Sequence, residues 1–297
     1  MSFRAVLRFL TILPAPTPEN GADGAHTRLA EPAAEQRTEH TAADMKTVLM
    51  MPAGSVSDEA LRLTGRSMAY FPLVGLVIGL LLALLYILFR FLLPSTVTGV
   101  LLVAALAVIT GAHHIDGLMD TFDALVAGRT REQRLEIMAD TRVGAFGITA
   151  ACLLLLTKYI CLLAVLNLSA LLTFPLLSRW AITGLVLIFP AARENGSFFA
   201  LKSGAGLKGF AGATVIALAA SVLLNGLIIG PLIMGGLFLL LYCLGLLFRR
   251  LFGGLTGDCC GALIEAGEVI VMILSLAFVR LMPYISDYNL FKIPFPF

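Results

Sequence analysis

The segment HHIDGLMDTFDAL, His113 to Leu125, places three aspartates, Asp116, Asp120 and Asp123, within eight positions. At about 100° of rotation per helical residue they fall within an arc of roughly 60°. One helix face therefore carries all three carboxylates. A second acidic pair, Glu136 and Asp140, follows in RLEIMAD at positions i and i+4. The intervening LVAGRTREQ is long enough to turn the chain, so five carboxylates can converge on one volume. Like charges at this spacing repel by a few tenths of a kcal/mol even on an exposed helix, and a divalent cation removes that conflict. Oxygen donors without thiolates select Mg²⁺, with Mn²⁺ as the second choice, and Mg²⁺ keeps waters and takes substrate phosphate oxygens as further ligands. Asp116, Asp120, Asp123, Glu136 and Asp140 are thus the candidate metal ligands, and a metal-bridged phosphate is the natural guest. A lone aspartate near a helix start is more often a cap; three on one arc beside a second acidic pair favour a metal site.

The neighbouring bases and histidines extend this reading. Arg142 lies two residues past Asp140 and just before Gly144 and Gly147, a placement suited to meeting a phosphate. Arg129, Arg131 and Arg134 read equally well as topology signals. Arg179 falls within LLTFPLLSRWAITGLVLIF, where an ionisable group is costly and is expected to bind an anion or pair with an acid. Lys158 is comparable, although its long stem also allows it to snorkel. Glu265 and Glu268 enter the last apolar run at i and i+3, just after Asp258. They read either as partners for Lys158 or Arg179 or as contacts for a polar substrate or metal. His113 and His114 are poor Mg²⁺ ligands, so hydrogen bonding or phosphate contact is expected of them, with a satisfied interfacial histidine as the plainer alternative.

The elements that position these groups must sit in lipid. The chain of 297 residues is 59% hydrophobic and 13% charged, with a mean hydropathy of +0.93. Soluble domains carry about a quarter charged residues. Several apolar runs exceed the about 18 residues needed to cross a bilayer as helix. The expected fold is all-α, a polytopic membrane bundle. Its spans are Met68–Leu93, Thr96–Thr110, Ile148–Leu166, Leu171–Phe189, Phe210–Ile229, Leu232–Phe248 and Ala262–Ile285. Residues 1–16 read as an amphipathic or packed helix, with arginines unlike those of a signal peptide. Residues 17–62 read as a poorly ordered polar insert, 63–285 as the transmembrane catalytic domain, and 286–297 as an interfacial tail. Pro72, Gly75 and Gly79 permit close approach of a neighbouring helix, and the Gly75–Gly79 face permits a homo-oligomer.

Lysine and arginine concentrate in alternate loops: Arg62 and Arg66, Arg129 to Arg142, Arg193 to Lys208, and Arg249 with Arg250; Arg90 is the exception. Seven spans with the N-terminus in the cytoplasm satisfy this asymmetry and turn the acidic cluster toward the cytoplasm. The net charge of +2 offers no basic surface for nucleic acid. The five cysteines show no CxxC or zinc spacing, so free thiols are expected.

HIDGLMDTFDAL…REQRLEIMADTRVGAFG resembles the signature of the cobalamin synthase family, membrane adenosylcobinamide-GDP ribazoletransferases. FLTILPAP, YFPLVGLVIGLL, SRWAI, FPAARENG and GGLTGDCCGALIEAGEV agree in order and spacing. Two features depart from the family pattern: Ala124 where glycine is usual, and a longer N-terminal insert. The resemblance implies Mg²⁺-dependent joining of adenosylcobinamide-GDP to α-ribazole or its 5′-phosphate, with release of GMP, in the inner membrane of a prokaryote. It implies that Asp116, Asp120 and Asp140, with Asp123 or Glu136, hold the metal across the diphosphate. Asp123 or Asp140 would accept the proton of the attacking hydroxyl. His114, Glu265 and Glu268 would contact substrate, while Arg134, Arg142 and Arg179 balance phosphoryl charge. Two rivals remain. A CDP-alcohol phosphotransferase would carry DGxxAR, where this chain has DGLMDT. A cation-coupled transporter would be expected to show internal repeats, and none is visible.

Overall fold

The computed structural model describes residues 58–165 and 167–286. The expected N-terminal helix, most of the polar insert and the tail lie outside the described residues. Eleven α-helices are described and no strand. They are α1 (Asp58–Arg66), α2 (Phe71–Phe89), α3 (Ser95–Ile109), α4 (His113–Ala127), α5 (Arg131–Met138), α6 (Ala145–Ala164), α7 (Leu168–Ile188), α8 (Ser197–Gly204), α9 (Leu207–Asn225), α10 (Ile229–Phe252) and α11 (Gly257–Ser286). The insert expected to run to residue 62 in fact gives way to α1 at Asp58.

Six helices, α2, α6, α7, α9, α10 and α11, are long and apolar enough to cross a membrane. The polytopic reading therefore stands. The seventh span depends on α3 and α4, which together pass the same test but meet at an angle of 88°. Gly111 and Ala112, at φ 63° and 56°, make this corner. The left-handed conformation is easy for Gly111 and uncommon for Ala112. Gly111 and Ala112 donate back to Val108 O and Ala107 O, closing the end of α3. The acidic segment thus turns away from the span instead of continuing it.

One span boundary also moves. The boundary expected between the Phe210–Ile229 and Leu232–Phe248 spans falls at Gly230 and Pro231, inside the first turn of α10, where proline's missing N–H is tolerated. The chain turns earlier, at Gly226, with φ 87°.

Helix α7 is the central pillar. Nearly every residue from Ala170 to Val186 is buried, with α2, α9, α10 and α11 packed around it. Its ends are tied. Asn167 Oδ1 accepts from Ala170 N at 2.8 Å, and Lys202 Nζ donates to Val186 O and Leu187 O, both at 2.9 Å. Pro175 within α7 cannot donate to Leu171 O. Gly75 and Gly79 of α2 press against this interrupted stretch: a Cβ on Gly75 would strike the Pro175 carbonyl, and one on Gly79 would lie 2.7 Å from Leu171 O. The Gly75–Gly79 face is therefore consumed within the subunit and cannot serve a dimer. Toward lipid the helices present side chains such as Leu84, Leu153, Val215, Leu223 and Leu239.

Gly75→Leu is expected to push α2 off α7 and destabilise the bundle by about 1–3 kcal/mol. A lower midpoint of thermal unfolding in detergent, with a smaller loss for exposed Leu84→Ala, checks this.

Candidate active site

Helix α4 is held by close packing on α6 and α11. Its contact with α11 has no room for side chains at two points. A Cβ on Gly117 would lie 2.9 Å from the Asp258 backbone, and one on Gly261 would lie 3.1 Å from His114. The crossing brings Asp258, at the start of α11, beside the aspartates of α4. Asp116 is exposed and Asp120 half-buried. Burial, and then the charges of Asp116, Asp258 and Asp123, push the Asp120 carboxyl up to about 7. Among the described residues no three acidic, histidine or cysteine side chains converge on one ligand-distance point. The donors still suit Mg²⁺ in kind: mutually repelling carboxylates from two helices, and a cation that completes its shell with water and phosphate oxygens.

The other predicted ligands are placed elsewhere. Asp123 is buried, and its carboxylate accepts from Gly144 N at 2.7 Å and Gly147 N at 2.9 Å. It caps the N-terminus of α6 from a different helix, where a carboxylate complements the helix dipole. This commitment argues against Asp123 as proton acceptor. Asp140 lies in the turn after α5 and pairs with Arg142, whose Nη2 is 2.6 Å from Oδ2. The Arg142 hydrogen bonds hold the Asp140 carboxyl below the usual carboxylate range. Glu136 is exposed on α5. The charges acting on Asp120 are those of Asp116, Asp258 and Asp123, while Asp140 is engaged with Arg142. Helical spacing alone could not reveal that α5 is a short strut.

The arginines hold loops together. Arg131 donates through Nε to Phe252 O and through Nη2 to Ala192 O, both at 2.9 Å. Arg134 Nη1 reaches Leu251 O at 3.4 Å, and Arg193 Nη2 donates to Leu135 O. The loops before α8 and before α11 pair directly: Ala192 N donates to Leu255 O, and Leu255 N to Pro190 O, at 2.9 Å each. Thr256 caps α11 by accepting from Cys259 N at 3.1 Å. Between these loops lies a cavity of about 140 Å³ lined by Arg193, Asn195, Ser197, Thr256 and Asp258. Asp258 thus belongs both to the acidic cluster and to the cavity wall. The sequence signal for it was weak, one aspartate in a glycine-rich loop, because its role depends on which helix crosses it.

Arg179, Glu265 and Glu268, expected at the substrate, pair with one another and with Lys158 inside the bundle. Lys158 Nζ bonds both glutamates, and Arg179 Nη1 bonds Glu268 and, at 3.0 Å, Ser178 Oγ. All four side chains are at most 3% exposed. Of the two readings the sequence offers, this geometry is the pairing one: two acids and two bases neutralise each other where isolated charge would be prohibitive. His114 is buried too, and its Nδ1 has no hydrogen-bond partner among the described residues. All five cysteines are free.

Residues 40–276 match the cobalamin-5-phosphate synthase family. The chain is 39% identical to an adenosylcobinamide-GDP ribazoletransferase of Roseiflexus sp. (strain RS-1), over 76% of this chain and 84% of that protein. It is 41% identical to a protein of the same name from Geotalea daltonii, over 72% of this chain and 87% of that one. No solved structure matches the chain.

Glu268→Gln should cost about 3–5 kcal/mol by leaving Lys158 and Arg179 undercompensated. The double change Arg179→Met with Glu268→Leu should cost less, since no charge is left alone there without its partner; unfolding midpoints in detergent compare the two. Cation binding requires deprotonated carboxylates. Mg²⁺ affinity should therefore be full well above pH 7, be about halved near pH 7 and fall further in acid, as Asp120 takes up a proton. Calorimetric titration across pH should show this fall in the parent protein and a flatter profile in Asp120→Asn.

Proposed function

The chain belongs to the cobalamin-5-phosphate synthase family, and from that premise we propose that it joins adenosylcobinamide-GDP to α-ribazole or α-ribazole 5′-phosphate. The products are adenosylcobalamin or its 5′-phosphate, and GMP. The observation that carries this reading is the crossing of α4 and α11 at Gly117. It sets Asp258 beside Asp116 and Asp120 and, at the same time, on the wall of a polar cavity. Acid from two helices and a pocket for a small polar group are what a phosphoryl transfer between two substrates requires.

In this reading a hydroxyl oxygen of the ribazole forms a bond to the phosphorus that carries the cobinamide. The bond from that phosphorus to the oxygen of GMP breaks, and the hydroxyl proton passes to a carboxylate. Asp258 is the best placed acceptor, since Asp123 is engaged with two backbone N–H groups and Asp140 with Arg142. Asp116 and Asp120 would hold Mg²⁺, which when bound neutralises charge on the diphosphate. Arg131 and Arg134 position the loops, and Arg142 stands exposed for an incoming phosphate. The cationic loops support a cytoplasmic orientation of this face, and the family reading puts the bundle in the inner membrane of a prokaryote. A cation-coupled transporter is the poorer reading: its intramembrane acids would be Glu265 and Glu268, and both are matched by bases.

Purified protein in detergent should release GMP from adenosylcobinamide-GDP only with ribazole and Mg²⁺ present. Asp116→Asn and Asp120→Asn should each lower that rate by 10³-fold or more, in line with loss of a group that stabilises transferred charge, while protein yield from the membrane stays unchanged. Wild-type rates in both variants would overturn the assignment.

A further inference from the structure

Three cations gather where two spans begin. Arg66 stands two residues before the span Met68–Phe89, and Lys208 is the second residue of the span Leu207–Asn225. The starts of these spans touch. A Cβ on Gly209 would lie 3.6 Å from Met68 Cβ, and one on Gly212 would lie 3.2 Å from Ala69 Cβ. Arg62 precedes Arg66 by one helical turn on the same side of α1. Helix α1 is itself seated on α8 through glycine: a Cβ on Gly65 would strike the Leu201 carbonyl, and one on Gly204 would strike the Arg62 carbonyl. Tertiary packing, not local spacing, therefore brings Arg62, Arg66 and Lys208 to one place at the edge of the lipid.

The protein leaves this charge unmatched. All three side chains are exposed, and among the described residues none of them is in an ion pair or a side-chain hydrogen bond. Other cations of the same loops are spent: Arg131, Arg134 and Arg193 on loop carbonyls, and Lys202 on Val186 O and Leu187 O. The acids Asp58 and Glu59 open α1 one turn before Arg62 and two before Arg66. Leu207, 75% exposed, adjoins Lys208 and gives the patch an apolar edge. A free phosphate would meet only the cations, whereas a phospholipid presents its phosphate to them and its acyl chain to the leucine. We propose that the joined starts of these two spans, with α1, bind an anionic phospholipid. Arg66 and Lys208 take the headgroup phosphate, Arg62 stands one turn behind, and an acyl chain runs past Leu207. A lipid held there clamps α1, and with it α8, to the ends of the two spans.

The test compares lipids on the full chain purified in detergent, by native mass spectrometry and by the midpoint of thermal unfolding. Phosphatidylglycerol should stay bound, and should raise the midpoint at a concentration at least tenfold below that needed with phosphatidylcholine. Arg66→Gln and Lys208→Gln should each weaken phosphatidylglycerol binding by about fivefold, and together they should erase the preference. Arg66→Lys should keep most of it, since the charge remains. Arg249→Gln with Arg250→Gln removes as much charge from exposed positions at the end of α10 and should leave the preference intact. Inorganic phosphate should neither displace the lipid nor move the midpoint. Equal affinity of the parent protein for the two lipids would overturn the proposal, a result that needs no variant to fold. An equal loss in the Arg249 and Arg250 pair would reduce the site to diffuse surface charge, and displacement by inorganic phosphate would make it a free-anion site; either outcome also defeats the lipid assignment.

Discussion

The close crossing of α4 over α11 is the constraint on which the rest of the site depends. At Gly117 and Gly261 the two helices meet with backbone against side-chain-free backbone, and this is what carries Asp258 into the field of Asp116 and Asp120. Small residues at helix contacts are the usual solution in lipid, where packing replaces the hydrophobic effect as the force between helices. Here the same contact also concentrates negative charge. The repulsion is a cost in the empty site, and a bound cation with a phosphate guest would relieve it.

Beneath this crossing lies a second device, the neutral cluster of Lys158, Arg179, Glu265 and Glu268. It ties α6, α7 and α11 together with charge-assisted hydrogen bonds in the buried interior of the bundle. Because α11 carries both Asp258 and the two glutamates, the cluster fixes the helix whose first residues face the cavity. Asp123 works in the same sense on α6, linking the acidic helix to the N-terminus of a span. Catalytic candidates and structural charges therefore alternate along the same helices, with exposure separating the two roles.

The loops show the same economy. Arg131, Arg134 and Arg193, all suited by type to phosphate, spend donors on backbone carbonyls of Phe252, Ala192, Leu251 and Leu135. Two irregular loops are thereby held against each other and frame a cavity. Of these three, Arg193 alone lines the cavity.

The sequence by itself determined the solvent, the helical class, the family resemblance and the acidic face of α4. These follow from hydropathy, from run length and from a spacing of three and four residues, all local properties of the chain. It also offered the pairing of Glu265 and Glu268 with Lys158 or Arg179 as one of two readings, because buried charge in lipid demands a partner. Only the tertiary structure showed which bases pair with those glutamates, tied Asp140 to Arg142, turned Asp123 into a cap and set Asp258 beside Asp120. Those outcomes depend on an 88° corner at Gly111–Ala112 and on which helices touch. Separations of this kind, such as the 21 positions from Asp123 to Gly144, leave no period for a sequence pattern to carry.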